Sequence, residues 1–118
     1  MVCDDSRLAR KQIASTLRHW NVDITFAEHG QEALDAIRAG RGDILFLDLN
    51  MPVMDGYQVL ESIRSEDLPT MVIVVSGDIQ PEAHRRVMAR GALAFIKKPG
   101  SSDLIAGVLN QDVLLAEL

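Results

Sequence analysis

Short apolar runs alternate along this chain with segments of helical periodicity, and this alternation constrains the fold more than any other feature. The runs 44–47 and 71–75 are too short for helices and are bounded by Gly, Pro, Asp or Ser. Such runs are typical of strands covered on both faces of a parallel sheet. In 22–26, apolar and polar residues alternate, which predicts a half-exposed strand at an edge. The predicted strands are 1–3, 22–26, 44–47, 71–75 and 93–96.

Helical patterns fill the gaps between these strands. Ser6 is positioned to cap the first helix,. Pro81 suits the first turn of the fourth helix and Gly91 its end. Strands that alternate with helices imply right-handed crossovers and a parallel sheet covered on both faces. We therefore predict a doubly wound α/β fold of flavodoxin type, with five strands in the order 2-1-3-4-5 and five helices.

Composition narrows the class of protein further. A chain of 118 residues corresponds to one domain,. The net charge of −5 argues against a direct nucleic-acid interface,. The single cysteine, Cys3, excludes an intrachain disulfide and a metal site built from cysteines,. No apolar run is long enough to cross a membrane, and acidic residues near the start argue against a signal peptide. We expect a cytoplasmic protein.

Polar and charged residues follow the predicted strands. Ligand sites in such sheets lie outside the carboxyl ends of the strands. This edge should therefore bring together three carboxylates, a hydroxyl and an amine, from Asp4, Asp5, Asp48, Ser76 and Lys98. Two carboxylates about 4 Å apart repel by roughly 4 kcal/mol at an effective dielectric constant near 20. Either one of them stays protonated or a cation lies among them.

The ligand types select the cation and the chemistry. Hard oxygen ligands without His or Cys favour Mg²⁺ or Mn²⁺ over zinc. Such an ion beside a carboxylate, a hydroxyl and an amine is suited to phosphoryl transfer. Asp48 would be the nucleophile, and Ser76 and Lys98 would hold the phosphoryl oxygens together with the metal.

Four stretches of the chain are 3–6, 47–56, 76–77 and 98–99. Their residues and their order resemble those of the receiver domain of two-component response regulators, the CheY-like family. The resemblance covers the whole chain, 1–118, and it implies a phosphate-controlled regulator and not an enzyme.

The resemblance implies a role for each matching residue. Asp48 accepts a phosphoryl group from a histidine kinase or a phosphotransfer protein. Asp5 and Asp48 ligate Mg²⁺ or Mn²⁺ together with the backbone carbonyl of Asn50, and Asp4 acts through metal-bound water. Lys98 pairs with the phosphoryl group, and its bond to the following proline is expected to be cis.

The family also implies a switch. Ser76 bonds a phosphoryl oxygen and Phe95 swings inward when Ser76 moves, while Asn50 and Asp78 tune hydrolysis of the acyl phosphate. The surface of the fourth helix, fifth strand and fifth helix then controls a downstream effector or a fused output domain. Homodimer formation on phosphorylation is compatible with this scheme. Phe95 lacks the hydroxyl of a tyrosine, so its readout would rest on ring packing.

Three other functions are compatible with parts of this pattern. A receiver-like module could bind partners without phosphate. An enzyme with an aspartyl-phosphate intermediate commonly shows Asp-x-Asp, but Asn50 stands two residues after Asp48. A flavodoxin-like cofactor binder needs a phosphate-cradling loop after the first strand, where Asp4 and Asp5 would repel phosphate. Residues 113–118 are mostly apolar. They either continue the core face of the last helix or belong to a linker helix, starting in 110–118, that leads to an output domain absent from this chain.

Overall fold

Five strands and five helices alternate along the part of the chain that the computed structural model describes, residues 1–18, 20–78, 80–99 and 102–109. Segment 110–118, predicted as a continuing or linker helix, lies outside the described residues. The strands are β1 Val2–Cys3, β2 Phe26–Ala27, β3 Ile44–Leu47, β4 Met71–Ser76 and β5 Ala94–Lys97. The helices are α1 Arg7–Leu17, α2 Gly30–Arg38, α3 Gly56–Ser65, α4 Pro81–Ala89 and α5 Ser102–Leu109.

The strands form one parallel sheet in the order β2-β1-β3-β4-β5, which confirms the predicted fold. β3 and β4 pair over four residues, from Ile44 opposite Met71 to Leu47 opposite Val74. β5 pairs with β4 and brings Lys97 opposite Ser76. All five strands therefore end at the same edge of the sheet.

The two faces of the sheet carry separate apolar cores. In β4, Val72 and Val74 face a core that includes buried residues of α2, α3 and α4. Ile73 and Val75 face a core that includes residues of α1 and α5. Because alternate residues of a strand point to opposite faces, the continuous apolar run of β4 serves both cores.

The edge strand β2 is shorter than predicted. The alternating pattern predicted a strand over 22–26, whereas β2 comprises only Phe26 and Ala27. β2 has one neighbour, β1, which offers two residues for pairing. Val22 and Phe26 are about half exposed, at 52% and 49%, so their apolar side chains do not mark a buried face. Period-two alternation alone did not show how much of the strand would find a partner.

Capping interactions set the helix ends near the carboxyl edge of the sheet. Ser6 Oγ accepts a hydrogen bond from the backbone of Ala9 at 3.2 Å, as predicted for α1. α3 begins with a capping box: Asp55 Oδ1 accepts from the Gln58 amide, and Gln58 Oε1 accepts from the Asp55 amide, both at 2.9 Å. Within the described residues, no helix is both long and apolar enough to cross a membrane.

Substitution of Asp55 by alanine should destabilise the protein by about 1 kcal/mol, because it removes the side-chain oxygen that accepts from the Gln58 amide,. Urea denaturation would measure the free energy of unfolding. Asp23→Ala, the same substitution in an exposed loop, should change it by less than about 0.5 kcal/mol. Equal losses in the two variants would contradict a capping role.

Candidate functional site

Three carboxylates meet at the carboxyl edge of the sheet. Asp4 and Asp5 follow β1, and Asp48 follows the neighbouring strand β3. One carboxylate oxygen from each lies within 4.8 Å of the other two. Asp4 and Asp48 are buried, at 1% and 4% exposure, whereas Asp5 is exposed. The parallel pairing of β1 and β3 thus places two buried negative charges side by side.

Lys98, directly after β5, reaches across the edge to both buried carboxylates. Its Nζ lies 2.9 Å from Asp4 Oδ2 and 3.2 Å from Asp48 Oδ1. Burial by itself lowers the pKa of the Lys98 ammonium, but Asp4 and Asp48 together raise the pKa by more. Lys98 therefore carries a positive charge at neutral pH. The backbone amide of Lys98 donates to the Ser76 carbonyl at 2.9 Å, and the Lys98–Pro99 bond is cis, as expected.

The environment of Asp48 raises the pKa of its carboxyl group. Burial is the main cause and the negative charge of Asp4 adds to it. Lys98 and a hydrogen bond from the Asn50 backbone act in the opposite direction without cancelling the shift. One ammonium thus only partly neutralises the cluster, which leaves room for a second positive charge.

The donor atoms fit a hard divalent cation. Asp4 Oδ1 accepts from the Ser6 amide at 2.9 Å, whereas the buried Asp4 Oδ2 has no hydrogen-bond partner among the described residues beside its ion pair with Lys98. Burial, then Asp4 and Asp48, raise the pKa of the Cys3 thiol to about 12, so Cys3 is not a thiolate ligand,. The candidate metal ligands in this cluster are therefore the carboxylate oxygens of Asp4, Asp5 and Asp48. Mg²⁺ and Mn²⁺ prefer oxygen ligands of this kind.

The start of α3 packs directly against the backbone of Asp48. The Gly56 amide donates to the Leu49 carbonyl at 3.0 Å. A Cβ at Gly56 would lie 2.5 Å from the Asp48 carbonyl oxygen and 2.8 Å from Leu49 Cα. The missing side chain of Gly56 therefore allows the capped helix to support the strand end that carries Asp48.

Ser76 lies at the same edge but makes a different contact. Its side chain is fully buried, and its Oγ accepts from the Asp78 amide at 3.0 Å. The exposed Asp78 in turn accepts from the Gln80 amide at 3.1 Å. The structure thus brings Asp4, Asp5, Asp48 and Lys98 together, and it places Ser76 at the end of β4, bonded to the loop that leads to α4.

Two other predicted residues lie around this cluster. Asn50 is exposed, and its backbone is hydrogen-bonded to the Asp48 carboxylate. Phe95 is half-buried on β5 and stacks on His84 of α4, with ring centroids 5.3 Å apart and planes 12° apart. The sequence predicted only a surface or packing role for His84. The structure shows that this histidine is the stacking partner of Phe95.

Sequence reasoning missed Arg10. Its guanidinium is mostly buried beside the acidic pair, and Nη1 donates to the Asp4 carbonyl at 2.7 Å. The available signal was its spacing: Arg10 precedes Ile13 by three residues and Leu17 by seven, which places it on the buried face of α1,. A basic residue in an apolar stripe needs a partner inside the protein.

Comparison with known proteins establishes the family. The family model described as "Response regulator receiver domain" matches residues 1–110. The chain belongs to this family and is a receiver domain of two-component response regulators.

Individual relatives agree with this assignment. The curated protein named "Probable transcriptional regulatory protein NarL" from Mycobacterium tuberculosis is 33% identical over 113 residues, covering 93% of this chain and 52% of the relative. The solved receiver domain of that organism's NarL has a TM-score of 0.84 and 33% identity, with 92% and 90% of the chains covered.

A further similar structure is the CheX-CheY-BeF3-Mg+2 complex from Borrelia burgdorferi, with a TM-score of 0.85 and 27% identity, covering 99% of this chain and 87% of that one. The chain spans about half the length, or less, of the curated relatives that it matches.

Substitution of Gly56 by alanine should destabilise the protein by about 1–3 kcal/mol, because the new Cβ would collide with backbone atoms that cannot swing away,. The matched control is Gly107→Ala in α5, where a Cβ meets nothing within 4 Å. There alanine should stabilise the helix by up to about 1 kcal/mol. Denaturant unfolding of both variants measures the difference, and similar values for the two would contradict close packing at Gly56.

Replacement of Asp48 by asparagine should stabilise the protein at pH 7 when divalent cations are chelated, because it removes one of two adjacent buried negative charges. The raised pKa of Asp48 means that the folded protein favours the protonated form, so the penalty is absent below the ordinary carboxyl pKa and grows as pH rises,.

Urea unfolding in EDTA would test this pH dependence. The advantage of Asp48→Asn should be larger at pH 7 than at pH 4, while Asp35→Asn, at an exposed position of α2, should show no such trend. An equal or smaller advantage at pH 7 would show that the carboxylates do not repel one another in the folded state.

Proposed function

We propose that this receiver domain is a phosphate-controlled switch in which Asp48 accepts a phosphoryl group from a histidine kinase or a phosphotransfer protein. The observation that carries the proposal is the Asp48 carboxylate, buried in a cluster with Asp4 and Asp5 and held 3.2 Å from Lys98 Nζ. An acidic cluster with one ammonium is suited to bind a cation and a transferring phosphoryl group together.

The transfer is a displacement at phosphorus. A carboxylate oxygen of Asp48 forms the new P–O bond, and the bond from phosphorus to the donor's imidazole nitrogen breaks with its electron pair. Lys98 neutralises charge on the phosphoryl oxygens, and the Ser76 hydroxyl donates to one of them. Asp5, Asp48 and the Asn50 carbonyl would hold Mg²⁺ or Mn²⁺, with Asp4 acting through water; the ion supplies further charge neutralisation.

Two comparisons support this function. The similar Borrelia burgdorferi structure is titled as a complex of CheY with CheX, BeF3 and Mg+2. The relative NarL carries the name of a transcriptional regulatory protein and is about twice as long as this chain. We infer a corresponding arrangement here, in which the domain controls a downstream effector or a fused output domain and is not itself an enzyme.

The phosphoryl signal would leave the site through Ser76 and Phe95. Ser76 Oγ accepts from the Asp78 amide, so its hydroxyl hydrogen can still donate to a phosphoryl oxygen, and turning toward that oxygen would lengthen the contact with Asp78,. Phe95 packs partly in the same core as Val72 and Val74, on the face of β4 that ends in Ser76. A shift of Ser76 would therefore change the space beside Phe95 and the surface of α4, β5 and α5, where an effector or a second copy could bind. Asn50 and Asp78 would tune the lifetime of the phosphate.

Acetyl phosphate with Mg²⁺ should add one phosphoryl group to the protein, detected by intact-mass analysis. The gain should require the divalent cation and should be lost in Asp48→Asn. Asp35→Asn, the same substitution at an exposed position of α2, should be phosphorylated like the wild type. Lys98→Met should slow phosphorylation about 100-fold or more, because the ammonium faces the acceptor oxygen.

The outcomes separate this function from the alternatives. A folded wild type that binds Mg²⁺ but gains no phosphate from acetyl phosphate or from purified kinases would favour a module that binds partners without phosphate. Rapid release of phosphate from many donor molecules per protein would favour an enzyme with an aspartyl-phosphate intermediate.

A further inference from the structure

Arg10 is a mostly buried charged residue that phosphoryl transfer at Asp48 does not directly use. Its side chain is 12% exposed, on the inner face of α1. Nη1 donates a hydrogen bond of 2.7 Å to the backbone carbonyl of Asp4, and Nη2 lies 3.6 Å from Glu28 Oε1. The guanidinium therefore joins the loop after β1 to the loop after β2.

The contact with Asp4 completes the bonding of a buried residue. The Asp4 amide donates to the Ala27 carbonyl at 3.1 Å, and Oδ1 accepts from the Ser6 amide. The carbonyl points to Arg10. A buried carbonyl without a donor is costly, so the loop geometry depends on this guanidinium.

The contact with Glu28 is too weak to explain why Arg10 is buried. Glu28 is 69% exposed, and an exposed ion pair at 3.6 Å contributes little to stability,. The short bond to the Asp4 carbonyl is the contact that accounts for the position of Arg10. Its effect falls on the two residues whose carboxylates face Asp48.

We infer that Arg10 is a positioning residue for the divalent-cation site: it holds the Asp4–Asp5 segment so that both carboxylates face Asp48. The inference rests on one part of the proposed function, the binding of a cation by this cluster, and does not depend on phosphoryl transfer. Residues that orient metal ligands through hydrogen bonds commonly change metal affinity by 10–100-fold when they are replaced.

The sign of the effect separates positioning from charge. Arg10 is a cation close to a cation site, so its charge repels Mg²⁺. If charge were its only influence, Arg10→Gln would tighten Mg²⁺ binding. If Arg10 positions the ligands, the same substitution weakens binding. Arg10→Lys keeps the charge but loses the planar fork that reaches the Asp4 carbonyl and Glu28 together, so positioning predicts weaker binding for this variant also.

Isothermal titration calorimetry with MgCl₂ would test the inference on the full chain, in the absence of any phosphoryl donor. Arg10→Gln and Arg10→Lys should each raise the Kd for Mg²⁺ by about 10-fold. Arg18→Gln is the matched control, because it removes the same charge at the far end of α1, about 12 Å along the helix,. Its Kd should stay within about twofold of the wild type. Urea unfolding in EDTA identifies any variant that does not fold. If Arg10→Gln does not fold, the Kd of Arg10→Lys decides the test.

Each outcome decides the inference. Unchanged or tighter binding in folded Arg10 variants overturns it and leaves the proposed function intact. A wild type that binds no Mg²⁺ overturns it together with the proposed cation site. Weaker binding in both Arg10 variants, with Arg18→Gln unchanged, supports a positioning role that charge alone does not produce.

Discussion

Repulsion between Asp4 and Asp48 is the constraint around which this edge of the molecule is built. Both carboxylates are buried, and the parallel pairing of β1 with β3 holds their backbones side by side. The Lys98 ammonium lies within 3.2 Å of both, although Lys98 follows the far edge strand β5. One cation between two buried anions leaves negative charge over, and this surplus would suit a divalent metal ion,.

Contacts from outside the cluster keep it in place. Gly56 lets the capped end of α3 approach the Asp48 carbonyl. Asp4 is bound by the amide of Ser6, which caps α1, and by the guanidinium of Arg10 in α1. The Lys98 amide is bonded to β4 through the Ser76 carbonyl. The segments that carry Asp4, Asp48 and Lys98 are therefore each held by a hydrogen bond or close packing to a neighbouring element. Such bracing allows a cluster of like charges to persist before any cation binds.

Local pattern was enough to predict most of the architecture. The runs 44–47 and 71–75 could be buried only as central strands, because apolar residues occupied both faces. The edge strand β2 was harder, since its length depends on how much of β1 is available as a partner and not on its own alternation. Stacking of Phe95 on His84 was likewise beyond the pattern, because it joins a strand and a helix whose relative placement no local rule gives.

The sequence alone determined the class of fold, because its periodicity marks the strands and helices. It also determined which residue types follow the strands, and the carboxyl ends of parallel strands meet at one edge of the sheet. It therefore predicted that Asp4, Asp5, Asp48, Ser76 and Lys98 would share one edge. Only the folded chain decided that Lys98 bridges Asp4 and Asp48, that Ser76 is bonded to the Asp78 amide, and that Arg10 reaches the Asp4 carbonyl. These contacts join segments distant in sequence or depend on side-chain direction, and packing of the complete domain sets both.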